Sequence, residues 1–400
     1  MKTIAIVTPK IDTFSNPTLI LLFEQLIEKK YKILFFGFEQ LFIPKEIRKH
    51  IELYQLPFNF YSFYRRPYDF IKLIDQYCDI YKVLKIRNKV EAIVCVDPMG
   101  LVIAGRIKKL LNLKIIYASF EIFFEDEFYI QRKKIIKTLE TKYSEIVDLV
   151  IIQDKKREEL LKAVNNFSAD TKFLLIPVSP KKIDVKSNEY DIYNHLNIPR
   201  DKKLVISSGT LQKWSGINEL LNLFPDHWDN DFWLVIHSHY ILDEDDELKK
   251  RINTLIEGKM NISFHNQPFY EYEDYAAFLS KCHIGIAVYF PNTIDIFAGK
   301  NIQEIGLSSG KFSTYMMLGI PAITTSNSLY KILNEKYDFG GTINEIDDIP
   351  RVMNEIKNNY DLKVKGCKKI YDTELDPLLR IDNLVNHIDE YYNKKIKQPG

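Results

Sequence analysis

Glycine, serine and lysine stand together in the stretch GLSSGKFSTYMMLGIPAI, which covers residues 306–323. Such residues at the start of a helix can hold phosphate, because backbone N–H groups without partners point at the ligand and the lysine adds charge. A nucleoside-triphosphate loop, G-x-x-x-x-G-K-[ST], is excluded: only three residues separate Gly306 from Gly310, and Phe312 replaces the hydroxyl residue. We predict a metal-independent diphosphate site at 308–311; a serine cap beside a solvated lysine is the alternative.

A second glycine-containing loop, SSGTLQKWSG, covers residues 207–216 and lies between a predicted strand and a predicted helix. Gly209 would let the backbone approach a ligand closely, and Lys213 would add a positive charge. An ordinary strand-to-helix turn is the alternative interpretation.

Short apolar runs rich in β-branched residues alternate with helical segments along most of the 400 residues. This alternation predicts repeated β-α-β units and parallel sheets with helices on both faces. The pattern pauses at 177–203, which is polar and contains three prolines. We predict an α/β fold with two Rossmann-like, doubly wound domains that face each other across a cleft, where ligands bind beyond the carboxyl ends of the strands. The predicted parts are a first domain at 1–180, a linker at 181–200, a second domain at 201–373 and a helical tail at 374–400 that packs back on the first domain.

The charge and cysteine content argue against several classes of protein. Lys and Arg total 55 and Asp and Glu total 54, so the net charge is +1, whereas dedicated nucleic-acid binders carry a clear basic excess. The four cysteines, Cys78, Cys95, Cys282 and Cys367, form no C-x-x-C pair, which argues against a zinc or redox site. The N-terminus predicts a strand instead of a signal peptide, and no stretch reaches the roughly 18 apolar residues of a membrane span. We predict a cytoplasmic protein that binds no nucleic acid.

The stretch GKFSTYMMLGIPAI, about one hundred residues after the loop at 207–216, resembles the donor domain of GT-B glycosyltransferases, in particular family 4 (group 1). The shared pattern is a lysine, a hydrophobic residue, two further residues and a tyrosine, followed by a short segment that ends Gly-x-Pro before a strand. The resemblance covers the whole chain in architecture, and its sequence support is concentrated in 207–216 and 262–323.

This resemblance implies a nucleotide-diphosphate sugar on the second domain and an acceptor on the first. The implied diphosphate contacts are Gly209, Thr210, Lys213, Ser309, Gly310, Lys311 and Ser313. The implied base-binding residues are Gln267, Pro268 and Phe269. Many family members carry a glutamate that binds the ribose just before the tyrosine; Thr314 stands there in this chain, so the identity of the nucleotide stays open.

The sugar and the acceptor would be bound by polar residues that follow other predicted strands. Asn292, Asp295 and Asn301 are candidate partners of the sugar hydroxyls, with ordinary polar loop residues as the alternative. Asp97 and Glu121 stand at strand ends, and either could accept a proton from the acceptor hydroxyl. The alternative is that Asp97 stabilises a turn and Glu121 caps a helix.

Two further features have more than one chemical interpretation. His237 and His239 end a strand as a spaced pair, but no further ligands stand at a spacing suited to a metal, so we predict no metal site and favour a structural role or one beside the sugar donor. The segment 56–70 combines aromatic residues with Arg65 and Arg66 and could contact a membrane interface, or it could pack its aromatic residues inward.

We therefore predict a hexosyltransferase-like enzyme, without metal or other cofactor, that moves a sugar from a nucleotide-diphosphate sugar to a glycan or lipid-linked acceptor. The resemblance implies retention at the anomeric carbon and a role in bacterial surface polysaccharide synthesis, in the cytoplasm or at the inner face of the membrane. Two alternatives stay open: a sugar-nucleotide epimerase of the same fold, and a non-catalytic partner subunit of another transferase.

Overall fold

The computed structural model describes residues 2–40, 42–56, 80–85, 90–128, 131–185, 191–292 and 297–396. The chain divides into two compact units. The first unit is Met1–Lys181 together with Pro377–Gly400, and the second is Lys182–Asp376. Each unit contains one parallel sheet with alternating helices, which confirms the predicted α/β class with two Rossmann-like domains.

The sheet of the first unit has seven parallel strands. The strands are β1 (Thr3–Thr8), β2 (Lys32–Gly37), β3 (Ile51–Gln55), β4 (Val90–Val96), β5 (Lys114–Ala118), β6 (Leu149–Ile152) and β7 (Lys172–Leu175). Their order across the sheet is β3-β2-β1-β4-β5-β6-β7. The central strands are almost wholly buried, as expected for apolar strands that are covered on both faces.

Helices alternate with the strands in the described part of the chain before the second unit. They are α1 (Pro17–Glu28), α2 (Lys45–Arg48), α3 (Asp97–Lys108), α4 (Gln131–Ser144) and α5 (Lys155–Ala163), and residues 80–85 are also helical. Helix α1 begins where its sequence favours a start: the Asn16 side chain accepts hydrogen bonds from the N–H groups of Thr18 and Leu19, and Pro17 is the first helical residue.

The sheet of the second unit has six parallel strands in the order β10-β9-β8-β11-β12-β13. The strands are β8 (Lys203–Gly209), β9 (Phe232–Ser238), β10 (Ile262–His265), β11 (Ile284–Ala287), β12 (Ala322–Thr325) and β13 (Gly340–Ile343). The helices are α6 (Ile192–His195), α7 (Ile217–Leu221), α8 (Glu247–Glu257), α9 (Tyr272–Leu279), α10 (Lys300–Gln303), α11 (Gly310–Leu318), α12 (Ser328–Tyr337), α13 (Ile349–Asn358) and α14 (Tyr360–Ile370).

Helix α11 contains the phosphate-site candidates, and its position is set by its caps and by close packing. Ser309 caps its start, and Gly319 ends it with a left-handed φ of +69°. The ring of Tyr315 lies against β11 at Gly285, where an added Cβ would be 2.4 Å from Tyr315 Cδ2. The Tyr315 hydroxyl donates to the carbonyl of Ile206 in β8 at 3.4 Å. Helix α11 is therefore held directly over the two central strands of its sheet.

The last helix, α15 (Leu378–Ile396), belongs to the first unit. Apolar residues along it, including Leu384 and Ile388, are buried in the core beside β1 and α1. Asp389 accepts hydrogen bonds from Lys2 and Tyr31, which ties the helix to the beginning of the chain. Throughout the described ranges, the structure contains no helix long and apolar enough to cross a bilayer.

Candidate functional site

Each sheet has one position at which the strand order reverses direction. It lies between β1 and β4 in the first unit and between β8 and β11 in the second. In open α/β sheets, ligands bind beyond the carboxyl ends of the strands at such a position. The side chains at these two positions are therefore the candidate functional groups of the two units.

In the second unit, three residues from distant parts of the sequence converge on one point. Gly209 is the last residue of β8 and has a φ of +118°, which residues with side chains rarely adopt. A Cβ added to Gly209 would lie 3.7 Å from Lys311 Cε and 3.8 Å from His239 Nε2. Because Gly209 has no side chain, the space that a Cβ would fill stays free, and Lys311 of α11 and His239 just after β9 lie at contact distance from it.

Lys311 carries a positive charge that no carboxylate of the described residues balances. Its Nζ lies 5.2 Å from the centroid of the Tyr289 ring, in a cation–π contact. Within the part of the chain that the structure describes, no carboxylate forms an ion pair with Lys311. Burial lowers the pKa of Lys311 to about 8, so the ammonium form still prevails at pH 7. A partly buried ammonium group of this kind suits an anionic ligand.

The start of α11 adds backbone donors beside Lys311. The Ser309 Oγ accepts a hydrogen bond from the N–H of Phe312 at 3.2 Å and also bonds to the Tyr289 hydroxyl. The N–H groups of Gly310 and Lys311 have no acceptor within the helix, because they belong to its first turn. Ser309 therefore caps helix α11, and the N–H groups of Gly310 and Lys311 are the hydrogen-bond donors that remain for a ligand.

Ser313 and Thr314 lie on the buried side of α11. The Ser313 hydroxyl donates to the carbonyl of Ser309 at 3.2 Å. The Thr314 hydroxyl donates to the carbonyl of Gly310 at 2.9 Å and lies 3.0 Å from the Tyr272 hydroxyl. Thr314 is only 2% exposed. Both hydroxyls are thus engaged within the fold, and Tyr272 of α9, which the sequence did not single out, is the partner of Thr314.

The residues predicted to bind the base follow β10 and differ in exposure. Gln267 is exposed, whereas Pro268 and Phe269 are partly buried. The Phe269 ring stacks on His265, with centroids 5.1 Å apart and planes at 5°. Asn266 ties this loop to the loop after β9, because its side chain bonds both the N–H and the carbonyl of Leu242, at 2.9 and 3.1 Å.

Histidines line the ends of β9 and β10. His237 is fully buried, and its Nδ1 lies 3.0 Å from His265 Nδ1. Burial, helped by the charges of neighbouring histidines, lowers the pKa of His237 far below its usual range. Burial lowers the pKa of His239 to about 4, with a further contribution from Lys311, so this imidazole is neutral at pH 7. Among the residues described, no group of three or more His, Cys, Asp or Glu side chains could hold a metal ion.

The remaining residues predicted to bind the nucleotide sugar lie in two different segments of the second unit. Thr210 is partly buried and Lys213 is exposed, both just beyond β8. The Asn301 side chain is buried and donates to the carbonyl of Phe297 at 3.0 Å, and the Asn292 N–H donates to the carbonyl of Ala298 at 2.8 Å. Both asparagines therefore help to shape their own loop. Asp295 lies outside the described residues.

In the first unit, a lysine and two carboxylates meet at the corresponding position. Asp97 is 4% exposed and has a φ of +59°. Its Oδ1 accepts hydrogen bonds from the N–H groups of Phe120 and Glu121 at 2.8 and 2.9 Å, and its Oδ2 lies 2.6 Å from Lys10 Nζ. The same Nζ lies 3.9 Å from Glu121 Oε1. Asp97 therefore holds the loop together, whereas the Glu121 side chain is 30% exposed and more accessible to a substrate.

Lys10 is the functional candidate of the first unit that the sequence analysis missed. Its loop is held by Gln40, whose side chain donates to the Lys10 carbonyl at 2.6 Å and accepts from the N–H of Thr13 at 3.1 Å. Its position just after β1 was the only signal in the sequence. Apart from Leu56, the aromatic and basic segment 56–70 lies outside the described residues.

No family model and no curated protein matches the sequence, whereas many solved structures match the fold. Sucrose-phosphate synthase from Thermosynechococcus elongatus is 13% identical, with a TM-score of 0.67 over 99% of this chain and 100% of that chain. HepE from Anabaena, in complex with UDP and glucose, is 11% identical, with a TM-score of 0.68 over 98% and 100%. A Listeria monocytogenes protein assigned as a UDP-N-acetylglucosamine 2-epimerase is 10% identical, with a TM-score of 0.64 over 98% of each chain.

At these identities the likeness shows the fold alone. The chain has the two Rossmann-like domains of the GT-B class, as predicted. Membership of family 4 stays a prediction, because no family model supports it.

Proposed function

We propose that the protein is a glycosyltransferase that takes its sugar from a nucleotide-diphosphate sugar bound to the second unit. The observation that carries this proposal is Lys311, a partly buried ammonium group that has no carboxylate partner among the described residues and lies beside the backbone of Gly209. Similarity to HepE, whose structure contains UDP and glucose, supports the choice of ligand.

In the proposed reaction, the bond between the anomeric carbon and the diphosphate oxygen breaks as the acceptor oxygen bonds to the sugar. Negative charge then develops on the departing diphosphate. Lys311 and the N–H groups at the start of α11 stabilise that charge, and such preorganised donors are worth most where charge appears in the transition state. The nucleotide base would lie against the loop Gln267–Phe269, as the family resemblance implies.

We assign the proton acceptor to the first unit. Glu121 would take the proton of the acceptor hydroxyl, because its carboxylate is partly exposed. Asp97 would hold the loop of Glu121 in place, since one of its oxygens accepts from the N–H groups of Phe120 and Glu121 and the other pairs with Lys10.

The finer parts of the proposal rest on the resemblance to family 4. The enzyme would transfer a hexose with retention at the anomeric carbon and would need no metal or other cofactor. The acceptor would be a glycan or a lipid-linked molecule in bacterial surface polysaccharide synthesis. The proposed location is the cytoplasm or the inner face of the membrane.

The test is a panel of nucleotide sugars and nucleoside diphosphates in a thermal-stability assay, since a ligand that binds the native state raises the melting temperature. The proposal expects one nucleotide sugar and its nucleoside diphosphate to stabilise the protein. It then expects nucleoside diphosphate to be released when a glycan or lipid-linked acceptor is added. If no member of the panel binds, the proposal is wrong.

A sugar-nucleotide epimerase is the second candidate, favoured by the similarity to the Listeria protein. It would use the same diphosphate site but would invert a sugar carbon. Conversion of the nucleotide sugar to its epimer without any acceptor would favour this candidate. A non-catalytic partner subunit, compatible with Thr314 at the ribose position, would bind the nucleotide sugar weakly or not at all and would turn over none.

A further inference from the structure

His239 borders the same space at Gly209 as Lys311 but is not among the residues that the family resemblance implies. Its Nε2 lies 3.8 Å from the point that a Cβ of Gly209 would occupy, and Lys311 Cε lies 3.7 Å from that point. A ligand atom that approaches the Gly209 backbone beside the lysine therefore also comes close to the imidazole.

The fold fixes this histidine in place through its backbone and its ring. Its N–H donates to the Gly209 carbonyl at 3.3 Å, which continues the pairing of β9 with β8 by one residue. Its ring packs edge-on against His237 and Tyr275, with centroids 5.3 and 5.2 Å away. The Tyr275 hydroxyl is in turn held by Ser208 at 2.8 Å. The side chain thus contacts the space from a rigid support, as a binding residue requires.

The charge of the site determines what His239 can do. Among the described residues, the charged or titratable side chains that face it are Lys311, His237 and Tyr275, none of which is a carboxylate. The imidazole is neutral at pH 7, because burial and the Lys311 ammonium disfavour a second positive charge. A neutral imidazole carries one N–H, and an anionic oxygen in the space selects the tautomer with that proton on Nε2.

We propose that His239 is a further residue that binds the nucleotide sugar. Its Nε2–H donates a hydrogen bond to an oxygen of the diphosphate whose charge Lys311 neutralises. This inference rests on the proposed function, and it adds a directional contact to the charge of the lysine. Lys311 supplies the charge beside Gly209, and His239 fixes the orientation of the diphosphate.

The test is calorimetric binding of UDP, GDP, ADP and inorganic pyrophosphate to the full-length protein and its variants. His239→Phe keeps a ring but removes both nitrogens. We expect it to weaken binding about ten-fold to one-hundred-fold, the range for a hydrogen bond to a charged group. His239→Gln places an N–H close to the position of Nε2 and should restore affinity to within a few-fold of the unchanged protein.

His227→Gln is the matched control, since His227 is an exposed histidine of the same unit. If the unchanged protein binds none of the four probes, the proposed function and this inference both fail. If it binds and His239→Phe binds equally well, this inference alone is overturned. Equal weakening in the Phe and Gln variants, both folded by circular dichroism, would also overturn it, because packing would then explain the loss.

A measurement on the unchanged protein covers the case in which His239→Phe does not fold. With ¹⁵N-labelled histidine, the His239 resonances should move to the pattern of the Nε2–H tautomer when a bound probe is added. His239 resonances that stay unchanged at saturating probe would overturn the inference.

Discussion

Each sheet has a lysine beside the point where its strand order reverses, Lys10 after β1 and Lys311 at the start of α11, but the surroundings of the two lysines are opposite. In the first unit, Lys10 pairs with Asp97 at 2.6 Å and lies 3.9 Å from a carboxylate oxygen of Glu121. In the second unit, Lys311 has no carboxylate partner among the described residues, and neutral His239 lies beside it. One fold thus carries a carboxylate-rich position in one unit and a cationic position in the other.

This difference shows that the fold provides the place and the side chains provide the chemistry. A lysine balanced by carboxylates organises its own loop, and in the proposed function Glu121 receives the proton of the acceptor hydroxyl there. A lysine without such balance suits an anion, and the proposed anion is a diphosphate, which the neighbouring helix start also suits. The predictions below test this contrast, beginning with the largest expected effect.

Lys311→Met should lower turnover roughly one-hundred-fold to one-thousand-fold, because a charge that acts on the leaving diphosphate is lost. The measurement is the rate of nucleoside diphosphate release from the nucleotide sugar found in the panel, with a glycan or lipid-linked acceptor added. Lys331→Met, which removes an exposed lysine of α12, is the control and should leave turnover unchanged. Normal turnover in the Lys311 variant would remove this residue from the mechanism.

Glu121→Gln should lower turnover about one-hundred-fold while nucleoside diphosphate binding stays normal, since the proposed proton acceptor is lost but the donor site is intact. Steady-state kinetics with the acceptor and calorimetry with the nucleotide separate the two effects. Glu145→Gln is the exposed control in the same unit. Unimpaired acceptor kinetics would leave Glu121 with a structural role only.

The affinity for nucleoside diphosphate should depend on pH through Lys311. Burial lowers its pKa to about 8 in the ligand-free protein, so the dissociation constant should stay level below that pH and rise above it. The rise should approach ten-fold per pH unit, because only the ammonium form attracts the anion. Calorimetry from pH 6.5 to about 9.5 would show this, and Lys311→Met should abolish the rise. A rise that persists in that variant would assign it to another group.

The lowered pKa of Lys311 should also affect stability. The free energy of unfolding should rise with pH over the range in which the affinity for nucleoside diphosphate falls. Because the pKa of Lys311 is below its ordinary value of about 10.4 in the folded protein, the unfolded chain binds more protons between these two pKa values. The contribution of this residue to the free energy of unfolding should therefore rise with pH above about 8 and be smallest below it. Urea unfolding of the unchanged protein and of Lys311→Met across this range would isolate the contribution.

Two glycines allow the units to be disturbed separately. A Cβ at Gly105 would lie 2.3 Å from Tyr143 Cγ in the first unit, and one at Gly285 would lie 2.4 Å from Tyr315 Cδ2 in the second. Each change to alanine should destabilise the protein by about 1–3 kcal/mol, the usual cost of overpacking. Only Gly285→Ala should also weaken nucleotide binding, because Tyr315 belongs to α11. Thermal unfolding and calorimetry check both effects; equal binding losses in the two variants would contradict the separation.

Much of the fold could be predicted from the sequence because its signals are local. Alternating apolar runs and helical segments predicted parallel sheets in two domains, and the structure confirms them. The start of α11 at Ser309–Gly310 and its end at Gly319 follow from capping residues that act over only a few positions. The site was less predictable, since Tyr272, His239 and Lys10 show their contacts only after distant strands pair.

What the sequence by itself determined is the alternation of elements, the helix start that carries Lys311 and the glycine at the end of β8. What only the tertiary structure decided is which lysine keeps its charge unbalanced. The carboxylates near Lys10 come from the ends of β4 and β5, and the neutral histidine beside Lys311 comes from the end of β9. The physical reason is that electrostatic environment depends on distance and burial, and sheet order determines both.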